Sequence, residues 1–269
     1  MNASPRSYLF VPADRPVRYA KALASGADAV IVDLEDAVAA SAKDGARRSL
    51  AAWLDSGGNG VAVRINDAAS PSFAADLALV ARPGIVTVVV PKAERADDLA
   101  RIRAAAPRAT LLPLIETAAG VDRVREIAHA DGVARLAFGS IDLSLDLGIE
   151  AGGDGDELLL FRSQVVLASR LAGLDAPVDG VTIAIDDAAA IEADTRRARR
   201  LGFGAKLCIH PRQLAAVHAA FAPSASELAW AERVVAAAGA TDGAAVAVDG
   251  RMVDRPVLLR ARALLARKP

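Results

Sequence analysis

Two apolar runs in the middle of the chain each end in a single carboxylate. The first run is 111–116 (LLPLIE) and the second is 136–142 (LAFGSID). A strand buried in a parallel sheet reads as a near-continuous hydrophobic segment, and α/β barrels build active sites at the C-terminal ends of their strands. Glu116 and Asp142 are therefore candidate ligands for Mg²⁺, which prefers oxygen ligands. For either residue alone, a helix-capping or turn role is the simpler interpretation.

Short β-type runs alternate with Ala- and Arg-rich helical segments over most of the 269 residues. Eight such pairs predict an α/β fold, a (β/α)8 TIM barrel, which typically needs about 250 residues. A doubly wound open sheet is the structural alternative, but the sequence has neither G-x-G-x-x-G after its first strand nor a Walker loop. The predicted strands are 8–12, 29–34, 61–65, 86–91, 111–115, 135–138, 181–185 and 205–209.

The C-terminal segment breaks this rhythm. After residue 222 the pattern predicts a helix starting at Ser224, a short extended run at 245–248 with a turn at Asp249-Gly250, and a last helix over 255–266. We therefore predict two domains: a catalytic barrel over 1–222 and a C-terminal helical lid or oligomerisation segment over 223–269.

The balance of charges and the cysteine content indicate which partners and which cellular location to expect. Lys plus Arg number 32 against 33 Asp plus Glu, for a net charge of −1. This balance argues against nucleic acid as a partner, because such binding needs a basic face. Cys208 is the only cysteine and lies in an apolar run, so it is interpreted as a buried small side chain. With neither a signal peptide nor a membrane-length apolar run, the expected location is cytoplasmic.

The ends of the other predicted strands are also rich in ionisable residues. They carry Asp14 and Arg15, the acids at 33–36, Arg64, Lys92 and His210. Since charged side chains are rarely buried unless they are paired or bind metal, their convergence on one rim predicts a polar pocket that is a candidate active site. Simple solvation of polar loops is the alternative.

Motifs spread in order along the chain resemble the citrate lyase β-subunit-like branch of the HpcH/HpaI aldolase superfamily. They include 6–12 (RSYLFVP), 33–38 (DLEDAV), 63–66 (VRIN), 90–92 (VPK), 115–117 (IET), 138–143 (FGSIDL), 179–181 (DGV), 201–206 (LGFGAK), 209–213 (IHPRQ) and 249–254 (DGRMVD).

The resemblance implies a Mg²⁺-dependent carbon–carbon lyase. Such enzymes cleave a 3-hydroxy-carboxyacyl-CoA, such as citryl-CoA, malyl-CoA or citramalyl-CoA, to acetyl-CoA or a homologue and a 2-oxo acid. Glu116 and Asp142 match the family's metal ligands, and Glu35 and Asp36 would orient metal-bound waters. Mn²⁺ accepts the same oxygen ligands.

Arg64 matches the family's arginine beside the thioester, where a fixed guanidinium stabilises the negative charge that develops on the thioester oxygen. A salt bridge to Glu35 or Asp36 is the structural alternative, and the two roles are compatible. The family's coenzyme A contacts fall on Phe10, Arg15, Lys21, Ile209, His210 and Pro211. A solvated helix face is the alternative for Arg15 and Lys21, and a structural role is favoured over a general base for His210.

Asp254 lies in a motif that the family uses to reach a neighbouring subunit, as an acid or base. The alternative is an N-cap, because Asp254 precedes Arg255 and Pro256 at a helix start. The resemblance thus implies a homotrimer with a shared lid. Malyl-CoA thioesterase or malate-synthase-like chemistry, and a non-catalytic β-like subunit of a larger lyase complex, are the alternative functions.

Overall fold

A computed structural model of the chain describes residues 4–150, 152, 155–240 and 245–267. The chain divides into two compact units, Met1–His218 and Ala219–Pro269. The catalytic and lid roles assigned to the segments before and after residue 222 stay predictions. Within the described ranges, no helix has both the length and the apolar character needed to cross a membrane.

In the described part of the first unit, eight parallel strands close into a barrel, with each strand paired to the next and β8 paired to β1. This confirms the predicted fold class. The strands are β1 Ser7–Pro12, β2 Ala29–Asp33, β3 Val61–Arg64, β4 Ile85–Val90, β5 Thr110–Ile115, β6 Ala137–Phe138, β7 Val178–Asp179 and β8 Ala205–Cys208. The helices are α1 Tyr19–Leu23, α2 Lys43–Asp55, α3 Phe73–Val80, α4 Ala96–Ala105, α5 Ala118–Asp122, α6 Val124–Ala128, α7 Ser140–Leu147, α8 Leu159–Leu171, α9 Ala188–Leu201 and α10 Leu214–Phe221.

The barrel interior is filled by alternate strand residues, because side chains along a strand point to opposite faces in turn. The buried cluster includes Ile31, Ala62, Val89, Leu112 and Leu114. Continuing the same alternation towards the C-terminal rim leads from Ile31 to Asp33, from Ala62 to Arg64 and from Leu114 to Glu116. The apolar filling therefore gives way to charged side chains at this rim.

The predicted seventh strand at 181–185 is wrong, since β7 is the two-residue segment Val178–Asp179. Val178 pairs with Ala137 and Ala205, and the next carbonyl, that of Gly180, accepts a hydrogen bond from Lys206 Nζ at 2.8 Å. Residues 181–185 instead belong to a loop, in which Ile183 is 76% exposed. Their β-branched, apolar composition imitates a buried strand, but strand pairing has already ended before them.

A second group of charges lies on the outer face of the barrel wall, opposite to the inward-facing Val178 and Ala205. We call Arg162, Asp179, Asp194 and Lys206 the wall cluster. Arg162 Nε donates to Asp179 at 3.0 Å, and Lys206 Nζ lies 3.5 Å from Asp179 and 2.7 Å from Asp194. Arg162, Asp179 and Lys206 are all buried. The cluster joins β7 and β8 to helices α8 and α9.

The second unit has its own small core. It contains α11 Ala225–Ala240, the antiparallel strands β9 Val246–Val248 and β10 Arg251–Val253, and α12 Arg255–Leu265. Asp249 and Gly250 connect the strands with positive φ angles of 52° and 72°, as the predicted tight turn requires. Ser224 and Glu227 form the expected reciprocal cap of α11.

Candidate active site

A cavity of about 480 Å³ opens at the C-terminal rim of the barrel. The charged side chains that line it come from the ends of β2, β3, β5 and β6, and apolar side chains form the rest of its wall. The lining includes Phe10, Asp33, Asp36, Arg64, Leu114, Glu116, Phe138, Gly139, Asp142, Val181, Leu207 and Ile209. The structure thus brings together the two predicted metal ligands, the predicted catalytic arginine and part of the predicted coenzyme A site.

Arg64 is held by a two-point contact with Asp33. Arg64 Nε donates to Asp33 Oδ1 at 2.7 Å, and Nη2 donates to Oδ2 at 2.6 Å. The guanidinium lies 4.8 Å from the centre of the Phe10 ring. Burial alone would lower the pKa of Arg64, but the hydrogen bonds and charge of Asp33 hold it above its usual value. The arginine is therefore a fixed positive charge at the cavity wall.

Asp33 also organises the loop that follows β2. Its carboxylate accepts hydrogen bonds from the backbone N–H groups of Glu35 at 2.9 Å and Ala37 at 3.1 Å. The same side chain thus fixes both Arg64 and the backbone of the loop that carries Glu35 and Asp36. A salt bridge of Arg64 to Glu35 or Asp36 was the structural alternative from the sequence, and the observed distances are 2.9 and 3.6 Å. Asp33 was not foreseen as a partner of Arg64. The alternation that places Ile31 inside the barrel is the signal that identifies it.

Glu116 is a buried carboxylic acid with few protein partners. Among the described residues, the backbone N–H of Lys92 is the group that donates to it, at Oε1 and 2.8 Å. Burial raises the pKa of Glu116 to about 8, and the charges of Glu35 and Asp142 add to this rise against the Lys92 hydrogen bond. Gly139 makes room for the carboxylate, since a Cβ there would lie 2.4 Å from Glu116 Oε2.

Lys92 links the two carboxylates on either side of it, and the sequence placed it among the charged residues of the rim without assigning it a role. Its φ angle of 44° is unusual for a residue with a side chain. In this conformation its backbone N–H reaches Glu116, while its Nζ donates to Glu35 Oε1 at 2.7 Å. Burial raises the pKa of Glu35, against the charge of Arg64 and the hydrogen bond from Lys92. The charged end of β4 was the available signal for Lys92.

We call Asp33, Glu35, Asp36, Arg64, Lys92, Glu116 and Asp142 the rim cluster. In these residues, five acids face two cations. The described chain has no group of three or more His, Cys, Asp or Glu side chains arranged to enclose a metal. Glu116 and Asp142 nevertheless fit Mg²⁺, which commonly takes one or two carboxylates and fills its other positions with water and substrate oxygens. The excess of negative charge and the weakly partnered Glu116 carboxylate both favour a bound cation.

The predicted coenzyme A residues fall into two groups. Phe10 and Ile209 line the cavity. Arg15, Lys21 and Pro211 are exposed outside its lining, and their contact with the cofactor stays a prediction. His210 Nδ1 accepts from the backbone N–H of Arg212 at 3.2 Å, so its ring caps the 3-10 turn Pro211–Gln213. This contact agrees with the structural role favoured for His210.

Asp254 belongs to the second unit, where its side chain accepts a hydrogen bond from the backbone N–H of Val257 at 3.2 Å. It is the N-cap of α12, with Pro256 in the first turn. The capping interpretation is therefore observed, and an additional role in a neighbouring subunit stays a prediction.

Cys208 is buried at 1% exposure. Burial raises the pKa of its thiol to about 12. Because the thiolate is the nucleophilic form of cysteine, Cys208 is unsuited to covalent catalysis and acts as a small packing residue.

Fold and site together define an α/β-barrel protein with an acidic pocket at its C-terminal rim. The chain belongs to the HpcH/HpaI aldolase/citrate lyase family, whose model matches residues 6–211. It is 40% identical to the citrate lyase subunit beta-like protein of Deinococcus radiodurans, over 99% of each chain. It is 35% identical to a (3S)-malyl-CoA thioesterase of Cereibacter sphaeroides, over 97% of this chain and 94% of the relative. The structure of the protein CitE from Mycobacterium tuberculosis in complex with magnesium, acetoacetate and coenzyme A superimposes with a TM-score of 0.89, at 39% identity over 99% of each chain.

Proposed function

We propose that this protein is a Mg²⁺-dependent carbon–carbon lyase. It would cleave, or form by condensation, a 3-hydroxy-carboxyacyl-CoA such as citryl-CoA, malyl-CoA or citramalyl-CoA, with acetyl-CoA or a homologue and a 2-oxo acid as products. The observation that carries the proposal is the combination, in one cavity, of an arginine fixed by Asp33 with the carboxylates of Glu116 and Asp142. The ligands of the similar CitE structure support the substrate class.

Arg64 supplies the main electrostatic assistance in this proposal. Cleavage of the carbon–carbon bond leaves negative charge on the thioester oxygen as an enolate. A guanidinium held in place before the reaction stabilises this charge without reorganising. Asp33 provides that rigidity, because a two-point contact fixes the plane of the guanidinium as well as its position.

Glu116 and Asp142 would hold the Mg²⁺ ion, and Glu35 and Asp36 would orient its waters. When bound, the ion supplies a positive charge that favours the ionised form of the substrate hydroxyl and orients the neighbouring carboxylate. Lys92 keeps Glu116 in place through its backbone N–H and balances Glu35 through its ammonium group. Mn²⁺ would occupy the same site, since it accepts the same ligands.

We further propose that Asp254 acts as an acid or base in the cavity of a neighbouring copy within a homotrimer. Its place in the family-like motif 249–254 supports this role. Asp254→Ala and Arg64→Ala would each inactivate the protein, and their co-expression would restore activity in sites that combine an intact barrel with an intact second unit. Mixed oligomers, verified by mass spectrometry, that are as inactive as both parents would leave Asp254 as a helix cap only.

The second candidate function is hydrolysis of malyl-CoA. It is favoured by the 35% identity, over 97% of this chain, to a (3S)-malyl-CoA thioesterase. The same cavity would bind the same substrate, but water would attack the thioester instead of the carbon–carbon bond being cleaved.

One assay separates these functions. The purified protein is incubated with Mg²⁺ and each of a panel of hydroxy-carboxyacyl-CoA thioesters, with and without a chelator, and the products are identified by mass spectrometry. Acetyl-CoA plus a 2-oxo acid identifies the lyase, whereas free coenzyme A plus the hydroxy acid identifies the thioesterase. Absence of Mg²⁺-dependent turnover in either direction would contradict both and would favour a β-like subunit that needs the rest of a larger complex.

A further inference from the structure

Gln213 connects two loops through a buried carboxamide. It is 1% exposed and ends the 3-10 turn after β8. Its Oε1 accepts from the backbone N–H groups of Ile209 at 2.8 Å and His210 at 3.3 Å. Its Nε2 donates to the backbone carbonyls of Thr182 at 2.7 Å and Ala184 at 2.8 Å. The side chain thereby uses both donors and both acceptor positions that an amide offers.

Both loops border the cavity. The loop after β7, residues 180–187, contributes Gly180 and Val181 to the lining, and the segment after β8 contributes Ile209. The apolar side chains further along the β7 loop do not anchor it, because Ile183 and Ile185 are 76% and 39% exposed. Val181 packs against the barrel core, but beyond it the position of the loop depends on polar contacts.

The β7 loop makes other polar contacts, but they either join it to a different part of the barrel or are weaker than the hydrogen bonds of Gln213. Lys206 Nζ donates to Gly180 O, and Thr182 Oγ1 donates to Asp194 Oδ2 at 2.6 Å, but these contacts hold the loop to the wall cluster. An ion pair between Arg212 and Asp186 joins the same two loops as Gln213. Both of its side chains are about two-thirds exposed, and solvent-screened pairs contribute little. Gln213 is the buried connection.

We propose that Gln213 is a positioning residue for substrate binding, which fixes the separation of Val181 and Ile209 and so the width of the cavity. The identity of the ligand as an acyl-CoA rests on the proposed function. The two loops cannot move apart without breaking hydrogen bonds of a buried amide, whose groups would then be left without partners. Gln213 touches no reacting atom in this proposal and acts through the two loops.

Gln213→Glu tests the connection directly. The new carboxyl group keeps the size of the side chain and an acceptor for Ile209, but it offers the carbonyls of Thr182 and Ala184 at most one donor, and that only when it is protonated. Hydrogen-exchange mass spectrometry should show faster exchange in peptides covering 181–191, in which the amides of Ala190 and Ile191 are hydrogen-bonded to Asp187 at the end of the loop, and retained protection at 209–210. Gln213→Met, which puts no charge in the buried position, should speed exchange in both segments. Asp186→Asn, which removes the exposed ion pair between the same loops, is the matched control and should leave both unchanged.

Binding measurements test the consequence for the cavity. Loss of at least one of the two donated hydrogen bonds should raise the KM for the best acyl-CoA substrate roughly tenfold in Gln213→Glu, with kcat retained, and Asp186→Asn should match the wild type. Exchange that rises throughout the barrel, or a lower kcat at unchanged KM, would show a merely structural or a catalytic role and would overturn the proposal.

The inference and the proposed function can fail separately. If the wild type turns over no acyl-CoA, the proposed function fails, and calorimetric titration with coenzyme A itself then tests Gln213. A roughly tenfold weaker affinity in Gln213→Glu and Gln213→Met, but not in Asp186→Asn, supports the positioning role. Coenzyme A that binds all variants equally, or that does not bind the wild type, overturns it.

Discussion

The rim cluster and the wall cluster are ionic groups of the same barrel, yet the pKa values of their carboxyl groups are shifted in opposite directions. At the rim, burial raises the pKa of Glu116 to about 8 and also raises that of Glu35. In the wall, burial acts on Asp194 in the same sense, but the charge and hydrogen bond of Lys206 outweigh it and lower the pKa of Asp194 to about 2. Burial is common to both groups, so the partners make the difference.

The partners differ in number and in kind. In the wall cluster, Arg162 and Lys206 face Asp179 and Asp194, and Asp194 also accepts hydrogen bonds from Thr182 and Arg197. In the rim cluster, Arg64 and Lys92 face five acids. When the charges of a buried ionic group are balanced inside the protein, each charge is compensated, and removing one partner destabilises the fold. A group with an excess of acidic side chains can accept a cation from outside, and this contrast favours ligand binding at the rim.

Lys206→Met removes one of the two positive charges of the wall cluster and should cause the largest loss of stability. The substitution leaves the buried Asp179 and the partly buried Asp194 with less positive charge around them, and breaking a buried pair costs about 3–5 kcal/mol of unfolding free energy. Urea unfolding followed by circular dichroism measures this loss. Lys21→Met, the same change at an exposed helix position, is the control and should stay within about 0.5 kcal/mol of the wild type. Equal stability of the two variants would contradict a stabilising wall cluster.

Arg64→Lys tests whether the rim cluster, unlike the wall cluster, is needed for turnover. Lysine keeps the charge but loses the two-point contact with Asp33, so turnover of the best acyl-CoA should fall on the order of 10²–10³-fold. Arg162→Lys makes the same change in the wall cluster and should lower stability while the folded protein keeps its turnover. A fully active Arg64→Lys variant would show that the fixed guanidinium is not needed for the reaction.

Asp194 gives the wall cluster a defined pH dependence. Its pKa is lowered from 3.8 to about 2 in the folded protein, so its pairing adds stability that is complete above about pH 4 and is lost as the pH falls towards 2. The shift corresponds to roughly 2 kcal/mol. In urea unfolding, Asp194→Asn should be less stable than the wild type by about this amount at pH 7, and the difference should shrink below pH 4. A difference that stays constant between pH 7 and pH 3 would contradict the ionic origin of this stability.

The sequence predicted the elements whose signals are local and periodic. The barrel, the acids Glu116 and Asp142 and the arginine at the end of β3 follow from apolar runs that end in charge. The wall cluster was not predicted, because Arg162, Asp179 and Lys206 are far apart in sequence and meet only when helix α8 packs on β7 and β8. The role of Lys92 was not predicted for a related reason, since its contact with Glu116 uses the backbone in a left-handed conformation that no side-chain pattern encodes.

The wrong seventh strand shows the limit of composition as a signal. Residues 181–185 have the apolar, β-branched character of a strand, whereas the true strand Val178–Asp179 is too short to give any periodicity. Its length is set by its pairing partners and by the side chains of Lys206 and Gln213, which take the carbonyls of the residues that follow. Tertiary contacts decided this segment, and the same contacts place Val181 at the cavity.

Mg²⁺ binding at the rim should depend on pH between 7 and 9, a range in which the ionisation of Asp194 does not change. Without the ion, Glu116 has a pKa of about 8, so at pH 7 it is mostly protonated and must release its proton when the ion binds. Affinity should therefore rise about tenfold from pH 7 to pH 9 and level off above the pKa. Calorimetric titrations in buffers of different ionisation enthalpy measure both the affinity and the released proton.

Glu116→Ala and Asp142→Ala should abolish binding without unfolding the barrel, and Asp194→Asn should bind as the wild type does. Wild-type affinity that is the same at pH 7 and pH 9 would remove Glu116 from the ligands, and unchanged binding in both alanine variants would place the metal elsewhere.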